Sequence, residues 1–152
     1  MSRALPFLFA IAVLVLVLIF VCPLVFRPGV EPPPDLRFLS PYSMAFALSN
    51  QNVTPVRNLE YTCEVSRLVL AGGAVLGNAK VVTRGAMRNL PGRRAIPVRC
   101  QTAYLVRGHL QALEYQLTLK YRAYPWPQDR TSLYRIAAQI DAQGQVTAWK
   151  VQ

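Results

Sequence analysis

Leu113–Ala123, LEYQLTLKYRA, decides the fold. Leu113, Tyr115, Leu117, Leu119 and Tyr121 alternate with Glu114, Gln116, Thr118, Lys120 and Arg122. Successive side chains of a strand point to opposite faces, so the apolar set falls on one side and the polar set on the other. A helix would scatter both sets around its circumference. The stretch is therefore a half-buried strand of an antiparallel sheet.

The same alternation recurs on both sides of it. Downstream, Ser132–Asp141 turns Tyr134, Ile136, Ala138 and Ile140 inward. Ala142-Gln143-Gly144-Gln145 then has hairpin spacing before Val146–Val151, which turns Trp149 and Val151 inward. Upstream, Ala95–Thr102 places Ile96, Val98 and Cys100 inward, after a turn at Leu90-Pro91-Gly92-Arg93 and a weaker strand at Ala79–Met87. Val56–Leu70 places Leu59, Tyr61, Cys63, Val65 and Val69 on one face and Glu60, Thr62, Glu64 and Ser66 on the other. Tyr42–Ser49 gives Met44, Phe46 and Leu48. Seven strands in about 115 residues predict an all-β, seven-stranded immunoglobulin-like antiparallel sandwich. Strand number and length fit two packed sheets better than a barrel.

The segment before these strands has a different composition. After a short head at residues 1–4, residues 5–26 read LPFLFAIAVLVLVLIFVCPLVF without a charge. As a helix this run spans about 30 Å, the thickness of a bilayer core, and is predicted to be one transmembrane helix. A cleaved signal peptide has a shorter apolar region and a small-x-small site; neither is present here. Val21 before Cys22 and Pro23 after it argue against lipidation at that cysteine. Residues 27–40, with PGVEPPPD at their centre, predict an extended Pro-rich spacer that holds a domain at 41–152 off the membrane. The basic residues flanking the span give little orientational bias. The short head and the cysteine pair considered below place the domain on the extracytoplasmic side of the cell membrane.

Three stretches carry a resemblance: FALSNQNVTPVRNLEYTCEV (46–65), LPGRRAIPVRC (90–100) and LEYQLTLKYRAYPWP (113–127). Together they resemble small bacterial single-span membrane proteins with an immunoglobulin-like or fibronectin III-like ectodomain, and more loosely adhesion-type sandwich modules. The resemblance covers about Pro41 to Val151. It implies fold and topology and brings no active site with it.

The whole chain has 152 residues, 53% hydrophobic and 16% charged, with 17 Lys and Arg against 7 Asp and Glu. A disordered chain, a collagen-like repeat and a multidomain enzyme are excluded by that length and composition. Cys63 and Cys100 both face inward on predicted strands. In an oxidising compartment they form a disulfide; in a reducing one they are two buried thiols. The sandwich reading makes their strands neighbours within one sheet.

Catalytic chemistry finds no constellation. The single histidine, His109, lies in a loop with nothing to complete a triad or a metal site. Glu60 and Glu64 are about 13 Å apart along a strand, too far to act as a carboxylate pair. Gly72-Gly73 and Gly77 lack the Lys-Ser/Thr of a phosphate cradle. Asn52-Val53-Thr54 matches a glycosylation sequon but runs into Pro55. The sequence thus implies a non-enzymatic protein without cofactor or metal.

Two groups suit binding. Arg84, Arg88, Arg93, Arg94 and Arg99 cluster around the Pro-Gly turn and either attract anionic lipid, a polyanion or an acidic protein, or form a solvated surface that keeps the domain soluble. Nucleic acid is disfavoured, because no reader motif or stacking aromatics accompany the charge. Tyr124-Pro125-Trp126-Pro127 stiffens a loop that either presents Tyr124 and Trp126 to a protein partner or folds Trp126 back to cap the open end of the sandwich. Contact with another protein, or assembly of a membrane complex, is the leading expectation. Binding of anionic lipid or polymer is the alternative.

Overall fold

The structure is a computed structural model that describes residues 4–20, 27–32, 43–73, 82–101, 109–124 and 126–152. Among the described residues, eight strands form two antiparallel sheets: β1 (Gly29–Glu31), β2 (Ser43–Asn50), β3 (Val56–Leu70), β4 (Val82–Leu90), β5 (Arg94–Gln101), β6 (Leu110–Ala123), β7 (Asp129–Ile140) and β8 (Val146–Val151). One sheet has the order β1-β2-β5 and the other β4-β3-β6-β7-β8. The chain changes sheet at the 51–55 turn, at the 91–93 turn and between β5 and β6, then finishes as a β6-β7-β8 meander.

The core lies between the sheets. Met44, Phe46 and Leu48 of β2 and Val98 and Cys100 of β5 bury against Leu113, Tyr115, Leu117, Leu119 and Tyr121 of β6. The alternation of LEYQLTLKYRA is thus realised, with each apolar member of the run buried. Burial of a side chain of this size stabilises by roughly 1.5–3 kcal/mol. Trp149 of β8 packs its ring on Tyr115, with centroids 5.6 Å apart.

Several expectations need correction. Period two breaks in β3, where register shifts fall between Arg57 and Glu60 and between Val65 and Arg67. Each bulge inserts a residue and resets which parity faces the core. Val56 and Leu68 are therefore buried, and Val69 is only half-buried. The weaker strand starts at Val82 and continues to Leu90; residues 79–81 lie outside the described residues.

The spacer is also different. Gly29–Glu31 pairs with β2 through Gly29↔Ser49, Val30↔Leu48 and Glu31↔Ala47, which makes an eighth strand and moves the start of the sandwich upstream of residue 41. An extended Pro-flanked segment has nearly strand-like dihedrals, and a sheet edge tolerates prolines. Val30 gains a packed side chain by docking. The rest of the spacer, 33–40, lies outside the described residues, as do the head at 1–3, Cys22, Gly77 and Pro125.

The N-terminal helix α1 runs over Ala4–Phe20. Its 17 residues rise about 25 Å, less than the roughly 30 Å of a bilayer core. Among the described residues no helix is long and apolar enough to cross a membrane; residues 21–26 lie outside them. Every side chain from Pro6 to Leu18 is exposed, Phe9 by 72%.

Candidate functional site

The cysteines are the best defined of the candidate residues. Cys63 on β3 and Cys100 on β5 form a disulfide with Cα atoms 5.9 Å apart. Their strands belong to different sheets, so the bridge crosses the core. This corrects the expectation of neighbours within one sheet. The reason is the 91–93 turn, which sends the chain from β4 in one sheet to β5 in the other instead of closing a hairpin within a single sheet. The bridge is structural: both residues are buried.

The five clustered arginines are exposed, yet the fold separates them. Arg84 and Arg88 stand on β4, at the edge of the five-stranded sheet. Arg84 is opposite Thr62, on the polar face of β3. Arg99 is on β5, at the edge of the other sheet, and alternates with buried Val98 and Cys100, so it points outward from that sheet. Arg93 occupies the turn at φ 54°, and Arg94 follows it. One flat arginine face does not form. Arg88, Arg93 and Arg94 converge at one end of the sandwich, while Arg84 and Arg99 sit further along its two edges.

That end is tightly knit. Asn50, fully buried, donates from Nδ2 to the Thr54 carbonyl at 2.9 Å and to the Leu90 carbonyl at 3.2 Å. Its Oδ1 accepts from the Asn52 amide at 3.1 Å. The Arg93 amide donates to the Asn52 carbonyl at 2.9 Å. Gly92 is needed there because a Cβ would overlap the Val53 carbonyl. The two turns between the sheets are thus locked to each other, and they hold Arg93 and Arg94 beside exposed Val53.

The register places more groups at this end. Val56, Leu90 and Ala123 are level, so the chain leaves β6 at Tyr124 next to both turns. Arg57 is exposed there and forms no ion pair with a described residue. The same holds for Arg88, Arg93 and Arg94. Arg122 differs: its Nη2 contacts Asp129 Oδ1 at 2.8 Å and its Nε donates to the same oxygen at 3.0 Å.

In the loop, Tyr124 is the exposed ring, at 56%. Trp126 is half-buried, with the Arg130 guanidinium 5.4 Å from its ring centroid. The bulge at Asn58, which adopts φ 49°, opens a depression of about 380 Å³ on the outer face of the larger sheet. Glu60, Arg88, Lys120 and Asp129 stand among its walls. Arg57, Lys120 and the depression were not singled out from the sequence. The available signal was the broken alternation between Val56 and Leu59, which marks a bulge.

Arg27 is a further basic group at the start of β1. Its Nε donates to Tyr134 Oη at 2.8 Å, its Nη2 donates to the Leu133 carbonyl at 3.1 Å, and its guanidinium lies 4.2 Å from the Tyr134 ring centroid. Tyr134 in turn donates its hydroxyl hydrogen to the Pro28 carbonyl. Burial raises the Tyr134 pKa above its usual 10.0, an effect partly opposed by the Arg27 charge and hydrogen bond. The start of the domain is therefore fastened to β7.

The opposite end holds His109, whose Nδ1 donates to the Gln143 carbonyl at 3.1 Å and so braces the last hairpin. Among the described residues no three His, Cys, Asp or Glu side chains gather as metal ligands would. No protein-family model matches the chain, and neither the curated proteins nor the solved structures contain a match.

Proposed function

We propose that this chain is a non-enzymatic, membrane-anchored binding protein. In this account residues 5–26 hold an immunoglobulin-like sandwich on the extracytoplasmic side of the cell membrane, and the basic end of the sandwich docks on an acidic surface. The observation that carries it is the convergence of Arg57, Arg88, Arg93 and Arg94, exposed and without described ion-pair partners, around Val53 and Tyr124.

The anchor is supported by α1, which is apolar on every side and exposed from Pro6 to Leu18. A helix of that kind requires an apolar surround. The immunoglobulin-like reading is supported by two packed antiparallel sheets with a disulfide across their core. An extended acidic surface suits the basic groups better than a small ligand, because they are spread over one turn and three strand ends. Charge alone fits an acidic protein face and an anionic headgroup layer equally.

Crosslinking in intact cells, followed by purification of the full chain, tests the basic end. Products formed by the wild type should be lost in an Arg88→Glu/Arg94→Glu variant and retained in Arg84→Glu/Arg99→Glu. Equal capture by both variants would remove the basic end from the binding function.

A further inference from the structure

We infer that the partner of the basic end is the bilayer itself: anionic phospholipid headgroups beside the N-terminal helix. This rests on the membrane anchoring proposed above and names the acidic surface. Three features of the molecule lead to it.

The first is reach. Phe20 ends α1, and Arg27 is the first residue held by the sandwich. Seven Cα–Cα steps separate them, which is at most about 25 Å. Gly29 pairs with Ser49 and Ser49 with Ala95, so β1 starts about 10 Å from the residue next to Arg94. The other end of β2, at Ser43, is six residues from Ser49, roughly 20 Å at strand rise. A tether this short brings the basic end to the bilayer surface first.

The second is charge asymmetry. The basic end carries Arg57, Arg88, Arg93 and Arg94 against two nearby carboxylates: Glu60, which shares the depression with Arg88, and Asp129, which is engaged by Arg122. The opposite end of the larger sheet, over the described residues 68–73, 109–113 and 138–147, has no Arg or Lys; next to it Arg67 is paired with Glu114, and in the smaller sheet Arg99 stands two residues from the end of β5. Near an anionic leaflet each basic residue strengthens surface attachment about five-fold.

The third is the apolar complement. Val53 is 72% exposed, and Tyr124, which follows Ala123 at the level of Val56, is exposed at the same end. A tyrosine has an apolar ring and a polar tip, which suits the depth of the headgroups. An acidic protein partner would account for the arginines, but not for their placement at the tethered end.

The test uses the full chain in nanodiscs of phosphatidylcholine alone or of phosphatidylcholine mixed with phosphatidylglycerol. Backbone amide exchange is followed by mass spectrometry in the 51–55 and 91–93 turns and at 126–128. On the anionic discs exchange should slow several-fold in these segments, recover at high salt, and stay unchanged in the 141–145 hairpin. Arg88→Glu/Arg94→Glu should lose the protection while remaining in the disc with its disulfide intact. Arg84→Glu/Arg99→Glu, with the same change in net charge, should keep it.

Equal exchange on both discs, with the chain retained in them, would overturn lipid docking and leave the basic end to an acidic protein. Protection lost equally in both variants would overturn the assignment to this end. A chain that elutes separately from the disc would overturn the anchor, a result distinct from either.

Discussion

Removing the Cys63–Cys100 bridge perturbs the fold at the point where the sheets are joined. The bonded residues are 37 apart in sequence. Opening a loop of that length releases denatured-state entropy worth about 4 kcal/mol at 25 °C in the chain-entropy model. In a domain of this size, where each kcal/mol moves Tm by roughly 3–6 °C, the loss corresponds to roughly 10–25 °C. A Cys63→Ala/Cys100→Ala variant adds a small packing loss, because both side chains are buried. Thermal unfolding of the full chain in detergent, followed by circular dichroism in the strand region, measures the difference. Reduced wild type and the double variant should melt close together and well below oxidised wild type. If the three curves coincide, or if both cysteines of the unfolded, unreduced chain alkylate, the sheets are not held by this bond.

Tyr134→Phe should cost about 1–2 kcal/mol, because the Pro28 carbonyl loses its donor and Arg27 one acceptor; chemical denaturation measures it. The same hydroxyl gives a pH dependence: its folded pKa is raised, so its contribution is complete below the unfolded value of 10.0 and is lost as pH climbs through the folded value. Tyr134→Phe should flatten that alkaline limb. Gly92→Ala should destabilise by about 2–3 kcal/mol, since its Cβ meets the backbone of Val53, whereas Gly85→Ala meets only the Tyr61 ring, which can swing, and should cost less. Trp126→Ala should cost about 1–2 kcal/mol in the same assay, between the small effect of a surface change and the 3–5 kcal/mol of a core tryptophan; a loss at either extreme would contradict its half-buried place under Arg130.

Where alternation was uninterrupted, strand and facing were legible together: β2, β6 and most of β7 have the inward residues that period two assigns them. Bulges defeated the count: period two turns Val69 inward, whereas Leu68 is the buried residue. Bulges depend on cross-strand register, which one strand's sequence does not carry. Gly29–Glu31 read as spacer because the prolines around it outweighed three residues of pairing. The disulfide pair was legible, but its span across the core was not, because a Pro-Gly turn does not state whether the next strand stays in its sheet. The arginines were found as a group in sequence. Their division into an end set and an edge set followed from that same change of sheet. Lys120 was hidden among the ordinary outward positions of a regular strand, and Arg57 beside a bulge whose only trace in the sequence is the broken alternation between Val56 and Leu59.

The molecule proposed is an oxidised sandwich held at a membrane by its own first helix. The most direct measurement is the intact mass of the chain recovered from membranes after an alkaline carbonate wash, with a tag after Gln152. The expected species begins at the N-terminal head, stays in the membrane pellet, and is two hydrogens lighter than its reduced form. A shorter chain in the supernatant, or a full-length one released by the wash, would contradict the anchor, and a mass unchanged by reduction would contradict the bridge.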